Sequence, residues 1–123
     1  MKIRIKGNSI RLRLTQTEIT NFGEQGLLEE KTEFINGAVF SYTLQTRYDI
    51  DNLEAAYSDN CITVFVPQAI AREWSNTDKT GFENKMNMGN GKHLFLLIEK
   101  DFVCLDNTFE DQSDHFPNPN AVC

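Results

Sequence analysis

Four basic residues near the start of the chain are the first group whose types and spacing could do chemistry. In KIRIKGNSIRLRLT, residues 2–15, the cations Arg4, Lys6, Arg11 and Arg13 alternate with isoleucine and leucine. Guanidinium groups bind carboxylate or phosphate through two parallel hydrogen bonds, so these cations together predict an anion-binding site. The alternative is a solvated surface whose charges pair with neighbouring carboxylates or with the acidic end of the chain.

The cysteines are the second such group, because thiolates act as metal ligands and as nucleophiles. Cys61 begins an apolar run and is interpreted as a core residue, whereas Cys104 and Cys123 lie in the acidic C-terminal region. A zinc site or a thiol-dependent site would need those two cysteines to meet. The groups that could join them are Asp106, Asp114 and His115. Because no paired-ligand spacing is present, we expect no cofactor, with zinc as the alternative.

The two ends of the chain carry opposite charge. Residues 1–14 contain five cations and no acid, whereas residues 99–123 contain six acids and one lysine, in a chain of net charge −6. We expect residues 1–105 to form a single domain and the acidic tail, residues 106–123, to pack across or near the basic segment as a lid. The negative net charge, and phenylalanines that fall mostly at core positions, argue against a nucleic acid partner.

The basic residues need a rigid element to hold them, and their alternation with apolar residues predicts one. Period-two alternation indicates half-buried strands, and Gly7-Asn8 supplies a two-residue hairpin turn. With that turn, Lys2 lies opposite Arg13 and Arg4 lies opposite Arg11. Like charges directly opposite each other destabilise a sheet by roughly a few tenths of a kcal/mol, so something anionic is expected over this face.

Two short helices are predicted beside the strands. Thr15 and Glu18 form a capping box in TQTE, so a helix is expected to run to about Gln25 and to end at Gly26. The apolar segment CITVFVP predicts a central strand. Pro67, at the end of that segment, suits the first turn of a second helix over PQAIAREW.

The remaining segments predict further hairpins. A three-residue loop, 36–38, would pair Phe34 with Phe40 and keep the neighbouring charged residues on the outer face. Residues 48–60 are polar and are predicted to form a connection with one helical turn at DNLEAAY. A third hairpin is expected across residues 89–91.

An internal repeat is indicated by two segments that align at an offset of 52 residues, SIRLRLTQTEITNF and CITVFVPQAIAREW. Each is followed by a hairpin, so a strand–helix–hairpin unit is predicted to occur twice. This order favours an α+β fold: a mainly antiparallel curved sheet or small barrel of about seven strands, with two short helices.

A resemblance to a known family extends over nearly the whole chain. It is carried by KIRIKGNSIRLRLTQTE, ITVFVP, IEKDFVCLD and EDQSDHFPNPN. These stretches resemble a family of small uncharacterised bacterial proteins, a domain of unknown function. The resemblance implies a bacterial, cytoplasmic, stand-alone domain and implies no catalytic residue. The longest apolar run, LFLLI at 94–98, is far shorter than the roughly 20 residues that span a membrane.

We expect a binding or interaction domain rather than an enzyme. The chain lacks the Gly-rich phosphate loop and the GxSxG, HExxH and CxxC motifs. The expected partner is an anionic small molecule or an acidic protein segment. The alternative is a metal- or thiol-dependent enzyme or sensor that uses Cys104 and Cys123. A third interpretation is a small-ligand barrel with an enclosed pocket.

Overall fold

The computed structural model describes residues 1–102 and 113–117, which form an α+β domain of eight strands and two helices. In chain order the elements are β1 Lys2–Ile5, β2 Ser9–Leu14, α1 Gln16–Gln25, β3 Leu27–Glu33, β4 Val39–Arg47, β5 Glu54–Ser58, β6 Cys61–Pro67, α2 Gln68–Asn76, β7 Gly81–Gly89 and β8 Lys92–Lys100. The predicted α+β class is confirmed, with one strand more than the seven expected.

The strands form two four-stranded sheets, each built from two hairpins. The first sheet has the order β1-β2-β8-β7 and the second sheet has the order β3-β4-β6-β5. The two hairpins of a sheet meet at its centre through a parallel pair, β2 with β8 or β4 with β6. Each sheet therefore combines a hairpin from the first half of the chain with one from the second half. Within the described residues, no backbone pairing joins the two sheets into a closed barrel.

The order of elements repeats along the chain. The first half runs β1-β2-α1-β3-β4 and the second half runs β5-β6-α2-β7-β8. The predicted strand–helix–hairpin unit is thus extended by a leading strand, β1 or β5. Corresponding backbone hydrogen bonds recur after the helices: Thr46 N–H donates to the Gly26 carbonyl at 3.0 Å, and Lys100 N–H donates to the Thr80 carbonyl at 2.8 Å. Positions in the two sheets can therefore be compared by strand register.

The first hairpin has the predicted register. Arg4 pairs with Arg11 and Lys2 pairs with Arg13. The Lys6 N–H donates to the Ser9 carbonyl at 3.2 Å and closes the two-residue turn. Gly7, the first turn residue, has a positive φ of 55°. Glycine adopts this conformation without strain, which explains why the turn forms at this position.

Helix α1 begins and ends as predicted. The Glu18 N–H donates to the Thr15 hydroxyl at 3.4 Å, and the Thr15 N–H donates to the Glu18 carboxylate at 2.9 Å. At its end Gly26 adopts the left-handed conformation, which satisfies a free carbonyl of the last turn. Helix α2 follows Pro67, also as predicted, but no side chain caps its first turn.

The second hairpin differs from its predicted register by two residues. The predicted pairing of Phe34 with Phe40 is wrong, because Thr32 pairs with Phe40. The loop comprises residues 35–37, one position earlier than expected. Gly37, with φ of 81°, supplies the left-handed residue that ends a three-residue hairpin loop of this kind. A slip by an even number of residues leaves the inner and outer faces as predicted.

The segment over residues 54–58 forms strand β5, so the helical turn predicted there is wrong. β5 pairs antiparallel with β6, and Ala56 lies opposite Thr63. The apolar strand β6 therefore has a neighbour on each side and is central, as predicted. Pairing with a buried strand outweighs the polar composition of this segment, since strand preference depends more on neighbours than on local sequence.

One hydrophobic cluster joins both sheets and both helices. The largest fully buried side chains of the helices are Trp74 and Phe22. Burial of one such side chain contributes about 1.5–3 kcal/mol. The helices pack closely, since a Cβ added at Gly23 would lie 3.2 Å from Ser75 Cβ. No helix among the described residues is both long enough and apolar enough to cross a membrane.

The first residue links the two sheets. The Met1 ammonium contacts the carboxylates of Glu18 and Glu30, and the Tyr42 hydroxyl donates to the Met1 carbonyl at 2.7 Å. Burial, together with the charges of Glu30 and Glu18, raises the pKa of Tyr42, so the hydroxyl keeps the proton that it donates. These contacts fix the start of β1, the strand that carries the first basic residues.

Candidate anion-binding face

The outer surface of the first sheet carries the basic residues predicted to bind an anion. On β2 and β8 the buried hydrophobic side chains are Leu12, Leu14, Leu96 and Ile98, so the residues between them lie on the opposite side of the sheet. We call this opposite side the cationic face. Its side chains are Lys2, Arg4, Lys6, Ser9, Arg11, Arg13, Glu83, Lys85, Phe95, Leu97 and Glu99.

Strand pairing arranges the cationic face in rows across the sheet. The rows are Lys2, Arg13 and Glu99; Arg4, Arg11, Leu97 and Glu83; and Ser9, Phe95 and Lys85, with Lys6 beside the turn. Neighbouring strands lie about 4.8 Å apart, so the four strands spread these side chains over about 15 Å. All four residues predicted to bind an anion therefore share one surface.

Glu99 organises two of the arginines. Its Oε1 accepts a hydrogen bond from Arg11 Nε at 2.6 Å and another from Arg13 Nε at 2.5 Å. The two arginine side chains remain 33% and 44% exposed. One carboxylate cannot neutralise two guanidinium groups, so this trio keeps a net positive charge and further N–H donors.

The other cations of the face differ in their partners. Lys2 Nζ lies 3.3 Å from Asp101 Oδ2. In the part of the chain that the structure describes, no carboxylate lies within ion-pair distance of Arg4, Lys6 or Lys85. Six cations and two carboxylates thus share this surface, in a chain whose net charge is −6.

Phe95 lies on β8, one of the two central strands, in the row of Ser9 and Lys85, and its side chain is 50% exposed. The Lys85 ammonium lies 5.6 Å from its ring centroid, within range of a cation–π contact. A shallow depression of about 510 Å³ adjoins the ring and is lined in part by Arg11 and Leu97. Sequence reasoning placed most phenylalanines in the core and missed this one. Residues 94–98 are all apolar, so their pattern does not show which side chains face inward.

The described part of the acidic tail, residues 113–117, docks at the start of α1. Asp114 Oδ1 accepts hydrogen bonds from the Thr17 N–H at 3.2 Å and the Thr17 hydroxyl at 3.0 Å. Hydrogen bonds from Thr15 and Thr17 lower the pKa of Asp114. The carboxylate satisfies the Thr17 N–H, one of the N–H groups that a first helical turn leaves free. The predicted lid over the cationic face involves 106–112 and 118–123, which lie outside the described residues, so it stays a prediction.

Asp101 and His115 form a buried pair where the tail meets the end of β8. His115 Nε2 lies 3.5 Å from Asp101 Oδ2, and each side chain is 7% exposed. The Phe116 N–H donates to the Asp101 carbonyl at 2.9 Å, and its ring packs edge-on against Phe102 with centroids 5.9 Å apart. Lys100 adds its ammonium, 5.0 Å from the Phe116 centroid, and burial lowers the pKa of this lysine. Phe116 is therefore held by backbone and aromatic contacts, beside the buried His115.

The residues predicted for a metal or thiol site are only partly described. Asp114 caps a helix and His115 pairs with Asp101, whereas Cys104, Cys123 and Asp106 lie outside the described residues. Among residues 1–102 and 113–117, no group of three His, Cys, Asp or Glu side chains is close enough to hold a metal ion. The predicted site that joins the two cysteines stays a prediction.

Cys61 lies half-buried on the outer surface of the second sheet rather than in the core, because its neighbour Ile62 faces inward. Its Sγ lies 3.5 Å from Thr43 Oγ1 and 3.7 Å from Thr63 Oγ1. Burial raises the pKa of the thiol, but hydrogen bonds with Ser41, Thr43 and Thr63 outweigh burial and lower it. The side chain is a free thiol among hydroxyl groups.

Comparison with known proteins gives a family and no further detail. A family model described as "Family of unknown function (DUF7009)" matches residues 1–120. No curated protein and no solved structure matches the chain. The matched range includes the whole cationic face and the docked residues 113–117. The predicted resemblance to a domain of unknown function is confirmed, and the chain belongs to this family.

Proposed function

We propose that this protein is a non-enzymatic binding domain that holds an anionic ligand on its cationic face. The observation that carries the proposal is the group of cations that have no carboxylate partner among the described residues: Arg4, Lys6 and Lys85. Cations gathered on one sheet repel one another, and a bound anion would relieve that repulsion.

Arg11 and Arg13 extend the binding surface towards β8. Their hydrogen bonds to Glu99 use the Nε atoms. No acceptor among the described residues lies within hydrogen-bond distance of their terminal Nη groups, so these groups can donate to the oxygens of a phosphate or a carboxylate. The arginines would therefore hold a ligand while Glu99 keeps them in place.

The internal alternative is that the acidic tail itself occupies the face. An external ligand is favoured because residues 113–117 already bind elsewhere, through Asp114 at α1 and through Phe116 beside Asp101. The bacterial origin and cytoplasmic location that the resemblance implied remain predictions and are part of this proposal.

Retention on immobilised heparin, a sulfated polyanion, tests the proposal. We expect the wild-type protein to be retained at low salt despite its negative net charge, because the cations are concentrated on one surface. The double variant Arg4→Glu, Lys6→Glu should elute without retention.

The matched control is Arg72→Glu, Lys31→Glu, which changes the net charge equally at two exposed positions off the face. It should elute close to the wild-type position. Equal loss of retention in both variants, or no retention of the wild-type protein, would contradict the proposal.

The rival prediction is an enzyme or sensor that depends on Cys104 and Cys123. Elemental analysis of the purified protein, together with a thiol count before and after denaturation, separates the two. A stoichiometric metal, or a Cys123 thiol that reacts only after denaturation, would favour the rival. No bound metal, together with a Cys123 thiol that reacts equally before and after denaturation, would favour the binding domain.

A further inference from the structure

We propose that the anionic ligand is single-stranded nucleic acid, which lies across the cationic face with a base stacked on Phe95. This inference rests on the proposed function and names its ligand class. It departs from the expectation drawn from the sequence, because that expectation assumed that no aromatic ring lay beside the cations. The structure places one there.

The exposed ring is the first step of the argument. Exposure of an apolar ring to water is unfavourable, and the half-exposed Phe95 ring offers a planar apolar surface that a ligand can cover. Every nucleobase has a π-face, so stacking on such a ring binds single strands with little dependence on sequence. Leu97, which lines the depression beside Phe95, provides additional apolar contact for the edge of a base.

The distribution of charge is the second step. Cations lie on both sides of the ring, with Lys85 on β7 and Arg11 on β2, while Lys6 adds charge near the turn. Along a strand, side chains on one face repeat about every 6.7 Å, so Arg4 and Lys6 can each meet a different phosphate of an extended strand. The face thus combines an aromatic platform with a positive track, the two features that single-stranded sites share.

The shape of the face is the third step and selects among polyanions. A four-stranded sheet, about 15 Å across, is too wide to enter the grooves of a duplex, which admit a helix or a two-stranded ribbon. An acidic protein segment would satisfy the cations but has no need of the ring. A single-stranded nucleic acid would contact both the cations and the ring, because its phosphates are anionic and its bases can unstack from one another and stack on an aromatic side chain.

Fluorescence anisotropy with a labelled oligothymidylate of about 12 nucleotides tests this inference, since single-stranded sites cover about 4–16 nucleotides. We expect Phe95→Ala to weaken binding about 5- to 100-fold, the range that loss of one stacked base produces. Arg4→Ala, Lys6→Ala should make the slope of log affinity against log salt shallower by about 1.4, because each lost phosphate contact removes about 0.7.

Two controls separate stacking from loss of structure. Phe95→Tyr keeps the ring and should retain binding within about twofold of the wild type. Tyr48→Ala removes a ring that is 90% exposed and lies off the face, and it should leave binding unchanged. Far-ultraviolet circular dichroism of each variant shows whether the fold is intact.

The possible results distinguish this inference from the proposed function. Weakening by Phe95→Ala but not by Tyr48→Ala supports it. The inference is overturned if oligothymidylate binding requires the cations but is unchanged in Phe95→Ala. It is also overturned if duplex DNA or polyglutamate binds with equal affinity. Either result leaves the proposed anion-binding function intact. If the wild-type protein is not retained on heparin and does not bind oligothymidylate, both the proposed function and this inference are overturned.

Discussion

The outer surfaces of the two sheets are built from corresponding strands but carry different side chains. In the first sheet Arg4 lies opposite Arg11, whereas the corresponding pair in the second sheet is Ala56 and Thr63. The positions that correspond to Lys6 and Arg13 hold neutral residues, Ser58 and Phe65. The same frame therefore forms with and without a basic hairpin.

The cations of the second sheet also differ in their partners. Arg47 Nη2 pairs with Asp49 Oδ2 at 2.5 Å and its guanidinium lies 5.0 Å from the Phe65 centroid. Lys31 pairs with Glu29 at 3.5 Å. Both described cations on this surface thus have a carboxylate, in contrast to Arg4, Lys6 and Lys85 of the cationic face. The comparison indicates that the unpaired charge of the first sheet is not a requirement of the fold.

The largest expected effect is on the free energy of unfolding, and it depends on the close approach of β7 to β8 at Gly81. A Cβ added at Gly81 would lie 2.3 Å from the Ile98 carbonyl oxygen, whereas the corresponding residue of the second sheet is Leu27, 48% exposed. Gly81→Ala should lower the free energy of unfolding by about 1–3 kcal/mol, because β7 must move away from β8. Urea unfolding measures this. Leu27→Ala is the control, with about 0.5 kcal/mol expected; equal midpoints in both variants would contradict the comparison.

The starts of the two helices give the next largest effect. Thr15 caps α1, whereas the corresponding residue before α2 is Pro67, which has no capping side chain. Thr15→Ala should cost about 1 kcal/mol, because an N–H of the first turn loses its acceptor. Thr20→Ala, an exposed position within the same helix, should change stability by about 0.5 kcal/mol or less. A Thr15→Ala protein as stable as this control would show that the tail alone secures the helix.

Acid should weaken the first half more than the second. Burial raises the pKa of Glu18, but the N-terminal ammonium and Thr15 outweigh burial and lower it, and hydrogen bonds from Thr15 and Thr17 lower that of Asp114. Because the pKa values of both carboxyl groups are lower in the folded state than in the unfolded state, their contribution to stability is complete at a pH above the unfolded-state pKa values. It is lost as the pH falls below about 4. The residue in α2 that corresponds to Glu18 is Ile70, which does not titrate.

Urea unfolding over a series of pH values measures this loss. The wild-type protein should lose stability over the acid range, and Glu18→Gln should lose less, because one of the titrating groups is gone. Parallel curves for the two proteins would show that the contact between the N-terminal ammonium and Glu18 contributes no acid dependence.

The smallest expected effect concerns Glu99, the carboxylate shared by two arginines. The corresponding position of the second sheet already holds a glutamine, Gln45. Glu99→Gln removes a negative charge that competes with the ligand, so the affinity for oligothymidylate should rise about 2- to 5-fold, as expected for a partly exposed ion pair. Glu29→Gln removes the same charge from the second sheet and should leave the affinity unchanged. A fall in affinity on Glu99→Gln would mean that this carboxylate mainly orients the arginines.

Local sequence signals predicted those elements that neighbouring residues determine. The first hairpin follows from its alternation and its glycine turn, and α1 follows from Thr15, Glu18 and Gly26. The hydrophobic pattern could not determine the register of the second hairpin, because a shift of two residues leaves every side chain on the same side of the sheet. Only the left-handed Gly37 at the end of the loop distinguishes the alternatives.

Long-range pairing accounts for what the sequence did not show. β5 lies within the polar, turn-rich segment 48–60, and its pairing with β6 is not visible in the local sequence. The four cations of the candidate site were found by their spacing, but Phe95 was not, because an apolar run has no visible phase. Lys85, which contacts the Phe95 ring, and Glu99, which pairs with Arg11 and Arg13, come from the second half of the chain. Only the parallel pairing of β2 with β8 brings them to the basic hairpin.

The exchange of hairpins between the two halves has a consequence for synthesis of the chain. On the ribosome, β2 emerges long before its partner β8, because most of the other strands and both helices lie between them in the chain. Contacts so distant in sequence slow folding, because a long loop must close before they form. A nascent chain cut between β4 and β5 would leave two fragments with unmatched parallel edges, and each fragment could complete its sheets only by recruiting the other.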